Sequence, residues 1–216
     1  MTAARRRIVI VRHGETVHNA AGIWQGQLDS PLSDLGERQA AALGPALADL
    51  NPQRIVSSDL TRAARTAQAV AEVCGIPLSF DERYREIHAG AWQGLTNAEV
   101  VAQWPQERAA VMRGEDLPRG GDGESMGDVM VRVGAALDEL VDTMEPGECV
   151  IVSTHGAAGR CAAAHLLGFA QEQAWRVFGA FDNCHWAELA EGNHGWRLLT
   201  WNVGSGAPVR EGSGPP

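Results

Sequence analysis

The sequence has few cysteines, and none of them is spaced for a disulfide framework or a zinc site. Four cysteines occur in 216 residues; they lie far apart, and no CxxC pair is present. This spacing excludes the small disulfide-stapled class of secreted proteins and the common zinc-binding modules. We expect reduced, mostly buried thiols in a cytoplasmic protein, at positions Cys74, Cys149, Cys161 and Cys184.

Positive charge and long apolar runs are also scarce. Lys and Arg number 18 against 27 Asp and Glu, which gives a net charge of −9. This balance argues against nucleic acid or an anionic membrane as a partner. Because charges are screened over ~8 Å at physiological salt, a local basic pocket could still bind a small anionic substrate. No stretch approaches the ~20 apolar residues of a membrane span, and the first apolar run is too short for a signal peptide.

Short β-branched runs alternate with helical patterns along the chain. The runs predict strands at 7–12, 54–57, 78–80, 149–154, 185–189 and 196–202. Strands that alternate with helices form a mostly parallel sheet, whereas the last two strands flank the turn "EGNHG", which is typical of a hairpin. The predicted fold is α/β, a three-layer sandwich with a mostly parallel central sheet, an antiparallel edge strand and helices on both faces.

Cap residues and apolar periodicity place several helices and the domain limits. Helices are expected from Ser33 to about residue 50, from Ser58 or Asp59 to residue 74, from Ser125 to about residue 144, and over 157–167. Residues 104–125 are rich in charge, Pro and Gly, and are expected to form an excursion over the sheet. We expect one domain over residues 1–203 and a flexible tail over residues 204–216.

Two predicted strands end on a histidine followed by glycine. The first strand ends on Arg12-His13-Gly14, and the strand at 149–154 is followed by His155-Gly156. The second strand is followed by "SSDLTRAARTA", which places Arg62 in the first turn of a helix. Because ligands bind at the carboxyl ends of parallel strands, the two arginines and two histidines should converge at one edge of the sheet. Gly14 and Gly156 are expected to let a ligand approach the backbone.

Such a cluster suits a phosphoryl group. Two guanidinium groups match phosphate oxygens in a bidentate way, and helix N-termini add N–H donors. The sequence has no P-loop and no acidic cluster for magnesium, so a nucleotide–magnesium site is poorly supported. A neutral imidazole is a competent nucleophile, and a second histidine, if charged, would stabilise the transferring group. Glu86, in "ERYREIHAGAWQG", is a candidate proton donor to the leaving alkoxide.

Four segments in order resemble the signature blocks of the histidine phosphatase superfamily, the phosphoglycerate-mutase-like proteins. They are "VRHGETVHN", "SSDLTRAARTA", "REIHAGAWQG" and "VSTHG". The resemblance implies the fold of that family, no metal and no cofactor. It implies that His13 is the nucleophile that becomes phosphohistidine, and that Glu86 is the proton donor. It also implies that Arg12, Arg62 and His155 hold the phosphoryl group.

The same resemblance implies further contacts to phosphate and substrate. Asn19, at the end of "RHGETVHN", is similar to the asparagine of the family that contacts phosphate. Gln25 and Gly26 lie in "IWQGQLDSPLSDLG", which resembles the loop at the pocket mouth, and Gly156 belongs to the fourth block. Members of the family suggest a homodimer and a small phosphorylated metabolite as partners.

A second resemblance, to one group within this superfamily, concerns the substrate. "WQGQLDSPLSDLG", "NCHWAEL" and "WRLLTWNV" resemble segments of glucosyl-3-phosphoglycerate phosphatases. That resemblance implies a substrate with a sugar, a carboxylate and a phosphate monoester. An apolar mouth for the sugar is expected from Trp24, Trp92 and Trp104.

Two other functions remain as alternatives to a metal-independent phosphatase. Mutase relatives carry a longer basic insertion after the glutamate, whereas the excursion here holds only three arginines, at 108, 113 and 119. Hydrolysis is therefore favoured over a phosphoglycerate mutase. A non-catalytic module that binds phosphorylated ligands is less consistent with the sequence, because binding alone needs neither a nucleophile nor an acid.

Overall fold

The computed structural model of the protein describes residues 5–206. Its strands are β1 (Arg7–Arg12), β2 (Arg54–Ser57), β3 (Leu78–Phe80), β4 (Cys149–Thr154), β5 (His185–Gly192) and β6 (Gly195–Gly204). They form one sheet in the order β3-β2-β4-β1-β5-β6. The first four strands pair in parallel, so the predicted mostly parallel sheet is confirmed.

The last two strands form the predicted hairpin. Both are antiparallel to their neighbours, with β5 beside β1 inside the sheet and β6 at the edge. Both are longer than predicted, because backbone pairing continues to Gly192 and Gly195 at the turn. The antiparallel part of the sheet therefore contains an inner strand as well as the expected edge strand.

The helices alternate with the strands. They are α1 (Val17–Ala21), α2 (Asp34–Ala48), α3 (Thr61–Cys74), α4 (Asn97–Gln103), α5 (Pro105–Met112), α6 (Met126–Asp142), α7 (Gly156–Leu167) and α8 (Gln171–Val177). Ser33 and Ser125 cap α2 and α6 as predicted, since each hydroxyl accepts a backbone N–H from the first turn. The sequence analysis did not place α1, α4, α5 or α8.

The expected cap of α3 is wrong. Leu60 precedes the helix and has no capping side chain, because the two expected caps have other partners. The Ser58 hydroxyl lies 2.8 Å from a ring nitrogen of His155, and the Asp59 carboxylate pairs with Arg85. The N–H of Thr61 instead donates to the carboxylate of Asp29, 2.9 Å away.

Residues 104–125 are more regular than the predicted excursion. They contain α5, which begins with Pro105 in its first turn, a position that proline favours. The preceding α4 begins with a capping box between Thr96 and Glu99. Both signals are present in the sequence, and they make residues 97–112 two short consecutive helices.

Two apolar cores confirm helices on both faces of the sheet. Alternate residues of β1 belong to different cores, with Ile8 and Ile10 on one side and Val9 and Val11 on the other. The first core includes α6 and α7, and the second includes α2 and α3. Full burial of such a side chain contributes about 1.5–3 kcal/mol to the free energy of unfolding. Because alternate side chains of β1 point to opposite faces of the sheet, this one strand packs against both helical layers.

The four cysteines are free thiols, and three of them are buried. No helix within residues 5–206 is both long and apolar enough to cross a bilayer. Strand β6 runs to Gly204, and the part of the expected tail at 207–216 lies outside the described residues.

Candidate active site

A cleft of about 650 Å³ opens at the carboxyl ends of the parallel strands. Residues that follow each of these strands line it: His13 after β1, Arg62 after β2, Glu86 after β3 and Gly156 after β4. The structure therefore brings the sequence-predicted groups together at one edge of the sheet. The convergence follows from the parallel topology, since these strands all end at the same edge.

The ring of His13 is held in one tautomer. Its Nδ1 lies 2.7 Å from the carbonyl oxygen of Gly14, which can only accept a hydrogen bond. Nδ1 therefore carries the proton, and Nε2 keeps its lone pair. Nε2 lies 3.3 Å from Nε of Arg62, which donates to it. The ring is 3% exposed and lines the cleft, an arrangement suited to a nucleophile.

His155 stands beside His13, with the ring centroids 5.1 Å apart. Its Nδ1 lies 3.2 Å from the same Nε of Arg62, so one N–H is shared between two imidazole acceptors. Its Nε2 lies 2.8 Å from the hydroxyl of Ser58. With Nδ1 as an acceptor, Nε2 must carry the proton, and the ring is neutral. The structure thus does not favour the charged second histidine considered from the sequence.

Burial and the neighbouring arginines keep both histidines neutral. Desolvation, and then the charges of Arg62 and Arg12, hold the pKa of His13 well below its ordinary value. Desolvation and the charge of Arg62 likewise lower the pKa of His155. Nε2 of His13 is therefore unprotonated at neutral pH without a general base.

These depressed pKa values predict a loss of stability in acid. Below about pH 6.5 the unfolded chain takes up protons at His13 and His155, whereas the folded chain does not, so the free energy of unfolding falls as the pH drops. Each of these two histidines adds up to about 1.4 kcal/mol per pH unit to the slope. His155→Gln should show a shallower slope than the wild type in urea unfolding between about pH 7.5 and pH 5.5 in phosphate-free buffer.

His194, in the exposed turn between β5 and β6, supplies the matched control. His194→Gln, the same substitution at the surface, gives the reference curve with which the slope of His155→Gln is compared. Parallel curves for wild type and His155→Gln would show that His155 does not fold as the neutral form.

The two arginines face the cleft without an ion-pair partner. Within residues 5–206, neither Arg12 nor Arg62 forms a salt bridge with a carboxylate. Arg62 is anchored by the carbonyls of Leu28 at 2.9 Å and Gly26 at 2.7 Å. Arg12 donates through Nη1 to the carbonyl of Phe181, and its buried Nε has no hydrogen-bond partner. An anion in the cleft would pair with both guanidinium groups and would accept the N–H of Arg12 Nε.

Glu86 sits at the N-terminus of α7. Its carboxylate accepts the N–H of Ala157 at 3.1 Å and of Ala158 at 3.1 Å, and also that of Ile87 at 3.0 Å. A methyl group at Gly156 would lie 3.6 Å from the carboxylate and 3.8 Å from Arg12. Glycine at this position leaves the space between the two groups open to a ligand.

The other predicted contacts also line the cleft. Asn19 accepts the backbone N–H of Thr16 at 3.2 Å, and Gln25 accepts the Thr16 hydroxyl at 2.9 Å. Gly26 has φ of +52°, and a Cβ there would overlap the side chain of Gln93. Asn19 and Gln25 are thus linked through Thr16, and both line the cleft together with Gly26.

Two details of this site differ from what the sequence suggested. A Cβ at Gly14 would lie 2.7 Å from the carbonyl oxygen of Gly36 in α2, so close packing of the backbone requires glycine there; the approach of a ligand to Gly14 stays a prediction. Of the three tryptophans expected at the mouth, only Trp24 lines the cleft. Trp92 is fully buried in a third, smaller core with Val100 and Val111, and Trp104 packs against that core.

Sequence reasoning missed several residues at the site. Ser58 orients His155, and Asn183 donates to the carbonyl of His13 at 2.9 Å. Asn183 stands just before β5 in "DNCH", and only the pairing of β5 with β1 brings it to the strand end. Arg108 and Arg119 also line the cleft, although both come from the predicted excursion.

The fold and site match one family over nearly the whole described chain. The model of the histidine phosphatase superfamily (branch 1) matches residues 8–204. The chain belongs to this superfamily, and the resemblance found in the sequence is confirmed.

Individual relatives indicate the activity within this superfamily. The chain is 40% identical over 215 residues to glucosyl-3-phosphoglycerate phosphatase of Mycolicibacterium vanbaalenii, covering 92% of this chain and 95% of that one. It is 32% identical to a probable phosphoglycerate mutase of Yersinia pestis, covering 92% and 91%. A solved mycobacterial glucosyl-3-phosphoglycerate phosphatase in complex with VO3 superposes with a TM-score of 0.85 at 37% identity, covering 92% and 99%. The protein is a phosphatase, a hydrolase of this superfamily.

Proposed function

We propose that the protein hydrolyses small phosphate monoesters through a phosphohistidine on His13. Nε2 of His13 attacks phosphorus, and the bond between phosphorus and the leaving oxygen breaks as Glu86 gives that oxygen its proton. Water then attacks the phosphohistidine, the N–P bond breaks, and the proton from water passes to Glu86. The observation that carries this proposal is the fixed tautomer of His13, whose Nε2 lone pair faces Arg62, an arginine that lines the cleft without an ion-pair partner.

The other residues bind the phosphoryl group. Arg12 and Arg62 would contact its oxygens as charge accumulates on them during transfer. We propose that His155 also contacts the phosphoryl group through Nδ1, which carries the proton once Nε2 accepts the Ser58 hydroxyl and Arg62 Nε donates to phosphate in place of the ring. Asn19 is proposed to complete the phosphate site, and Gln25, Gly26 and Gly156 to line its entrance.

The proposed substrate is glucosyl-3-phosphoglycerate. Its support is the name shared by relatives at 38% and 40% identity, together with the size of the cleft. About 650 Å³ is within the range of roughly 300–1,000 Å³ typical of sites that enclose a metabolite. Trp24 offers an apolar wall to a sugar ring.

Phosphate release from three esters tests the proposal. EDTA-treated protein is given glucosyl-3-phosphoglycerate, 3-phosphoglycerate and phenyl phosphate, each beside the His13→Ala variant. We expect fastest release from the glucosylated ester and none from the variant. Similar slow release from all three would make the enzyme a generalist, and loss of activity with EDTA would contradict the metal-independent scheme.

The mutase alternative predicts a different product. A phosphoglycerate mutase would return the phosphoryl group to glycerate and would release little phosphate, with stimulation by a bisphosphorylated primer. A binding module would retain phosphate without turnover. The same reactions therefore distinguish all three functions.

We infer that the enzyme acts in the cytoplasm, and its four free thiols are consistent with a reducing compartment. The homodimer expected from the resemblance stays a prediction. Sedimentation equilibrium at micromolar protein tests it.

A further inference from the structure

The proposed proton donor stands on a stretch of chain without regular secondary structure. Residues 85–89 lie between two short 3₁₀ turns, Glu82–Tyr84 and Gly90–Trp92. Glu86 therefore differs from His13, which directly follows an inner strand of the sheet. Because a catalytic group has to be held within about 0.5 Å of its working position, contacts other than strand pairing must fix the backbone of Glu86.

Arg132, on α6, donates three hydrogen bonds to the backbone around Glu86. Its Nη1 lies 2.8 Å from the carbonyl oxygen of Arg83 and 2.7 Å from that of Arg85, and its Nη2 lies 2.9 Å from that of Glu86. The carbonyl of Glu86 also accepts Nε2 of Gln27 at 3.1 Å. One guanidinium group thus binds the carbonyl of the proposed proton donor and two of the three carbonyls before it.

The remaining donors of Arg132 are paired with Glu124. Nε of Arg132 lies 2.7 Å from one carboxylate oxygen of Glu124, and Nη2 lies 2.9 Å from the other. A guanidinium group has five N–H donors, so every donor of Arg132 has a partner. The second oxygen of Glu124 also accepts the N–H of His88 at 2.8 Å, two residues after Glu86. The ion pair therefore holds the backbone on both sides of the proposed proton donor.

The ion pair of Arg132 and Glu124 lies outside the cleft. Neither residue lines the cleft, and their side chains are 19% and 23% exposed. Burial raises the pKa of Glu124, but the hydrogen bonds from Arg132 and from the N–H of His88 outweigh it and hold that pKa below its ordinary value. The pair is therefore charged at neutral pH and does not touch the ester. Any effect that it has on the reaction passes through the backbone of Glu86.

We propose that Arg132, fixed by Glu124, is a positioning residue for the proton transfer, and that it holds the backbone of Glu86 where the carboxyl group can give its proton to the leaving oxygen. The carboxylate is anchored separately, by the N–H groups of Ala157 and Ala158. With the backbone and the carboxylate both held, the side chain keeps one placement. The inference rests on the proposed function, because it takes Glu86 as the proton donor.

The leaving group of the ester tests this assignment. Arg132→Gln should lower kcat for 3-phosphoglycerate, an alkyl ester, by about 10- to 100-fold, because a displaced donor misses the leaving oxygen. The rate with 4-nitrophenyl phosphate, whose phenolate leaves unprotonated, should fall by less than about threefold. KM should stay within about twofold in both reactions, since Arg132 does not line the cleft. A loss of folded protein alone would slow both esters equally.

A double variant shows whether Arg132 acts through Glu86. In Glu86→Gln protein, adding Arg132→Gln should cost less than about a further twofold with 3-phosphoglycerate, because the group that Arg132 positions has already been lost. Losses that multiply, or an Arg132→Gln variant that slows both esters equally, would overturn the inference alone. If Glu86→Gln itself slowed both esters equally, the proposed function would fail at its proton donor, and the inference would fail with it.

Arg132→Lys separates charge from position. Lysine can keep the ion pair with Glu124, but it has three donors in place of five and no planar fork. Thermal stability should therefore recover more than the rate with 3-phosphoglycerate. Full recovery of that rate would show that charge alone is needed and would overturn the inference.

Two other variants guard against a loss of folding. Glu139→Gln, on the same helix, removes an exposed ion pair with Arg83 and should behave as the wild type. Should Arg132→Gln fail to fold, Glu124→Gln takes its place, because its amide oxygen can still accept one N–H. Glu124→Gln should slow 3-phosphoglycerate more than 4-nitrophenyl phosphate, and equal losses on the two esters would overturn the inference.

Discussion

Replacing His13 with alanine is expected to lower kcat/KM by at least about 10⁴-fold on every phosphate ester, because the nucleophile cannot be substituted by its neighbour. His155 is the nearest imidazole, yet it is fully buried and its Nε2 is bound to Ser58; unlike His13, it is not among the residues that line the cleft. It is therefore not placed for in-line attack on phosphorus. Phosphate release is the measurement, made over the same range of ester concentrations for both proteins.

The intermediate can be tested on the same pair of proteins. Rapid mixing of wild type with ester, followed by quenching in base, should give a phosphorylated peptide that contains His13, and His13→Ala should give none. His194→Ala, in the exposed hairpin turn, should retain both the intermediate and turnover. Near-normal turnover in His13→Ala, or a phosphoryl group on another residue, would contradict the scheme.

Glu86→Gln is expected to have the second largest effect, and its size should depend on the leaving group. Loss of a general acid costs about 10²–10⁴-fold when the departing oxygen needs a proton. An alkyl ester should therefore lose about that much rate, whereas 4-nitrophenyl phosphate, whose phenolate leaves unprotonated, should lose about tenfold or less. Glutamine keeps an oxygen that can accept the N–H of Ala157 and Ala158, so the fold should be maintained.

Glu82→Gln supplies the control, since this glutamate lies in the same part of the chain and its side chain is 74% exposed. It should leave both reactions unchanged. If Glu86→Gln slowed both esters equally, Glu86 would be a structural or binding group and not the proton donor.

Local sequence signals were sufficient for the parallel strands and for the helices α2 and α6, whereas α1, α4, α5 and α8 were not placed. The four parallel strands begin and end where the β-branched runs do, and Ser33 and Ser125 cap their helices. Such signals work because strand burial and helix capping depend on residues close together in the chain. They failed at α3, where Ser58 and Asp59 form tertiary contacts that compete with a local cap.

The position of the site could also be predicted, but its detailed contacts could not. Parallel topology alone requires that His13, Arg62, Glu86 and Gly156 lie at one edge of the sheet. By contrast, position 14 requires glycine because the backbone of Gly36, a residue distant in the sequence, packs against it. A single sequence does not show which remote backbone will approach a glycine.

The sequence by itself determined the α/β class, the limits of the four parallel strands and the residues at the strand ends that line the candidate site, because these follow from local periodicity and from motifs at strand ends. The tertiary structure decided the protonation of His155, since Arg62 and Ser58 reach it only after the sheet has formed. It also decided which charges enter the cleft: Arg108 and Arg119 face inward while Arg113 remains in solvent. Burial depends on the whole packing of the chain, and no local pattern distinguishes these three arginines.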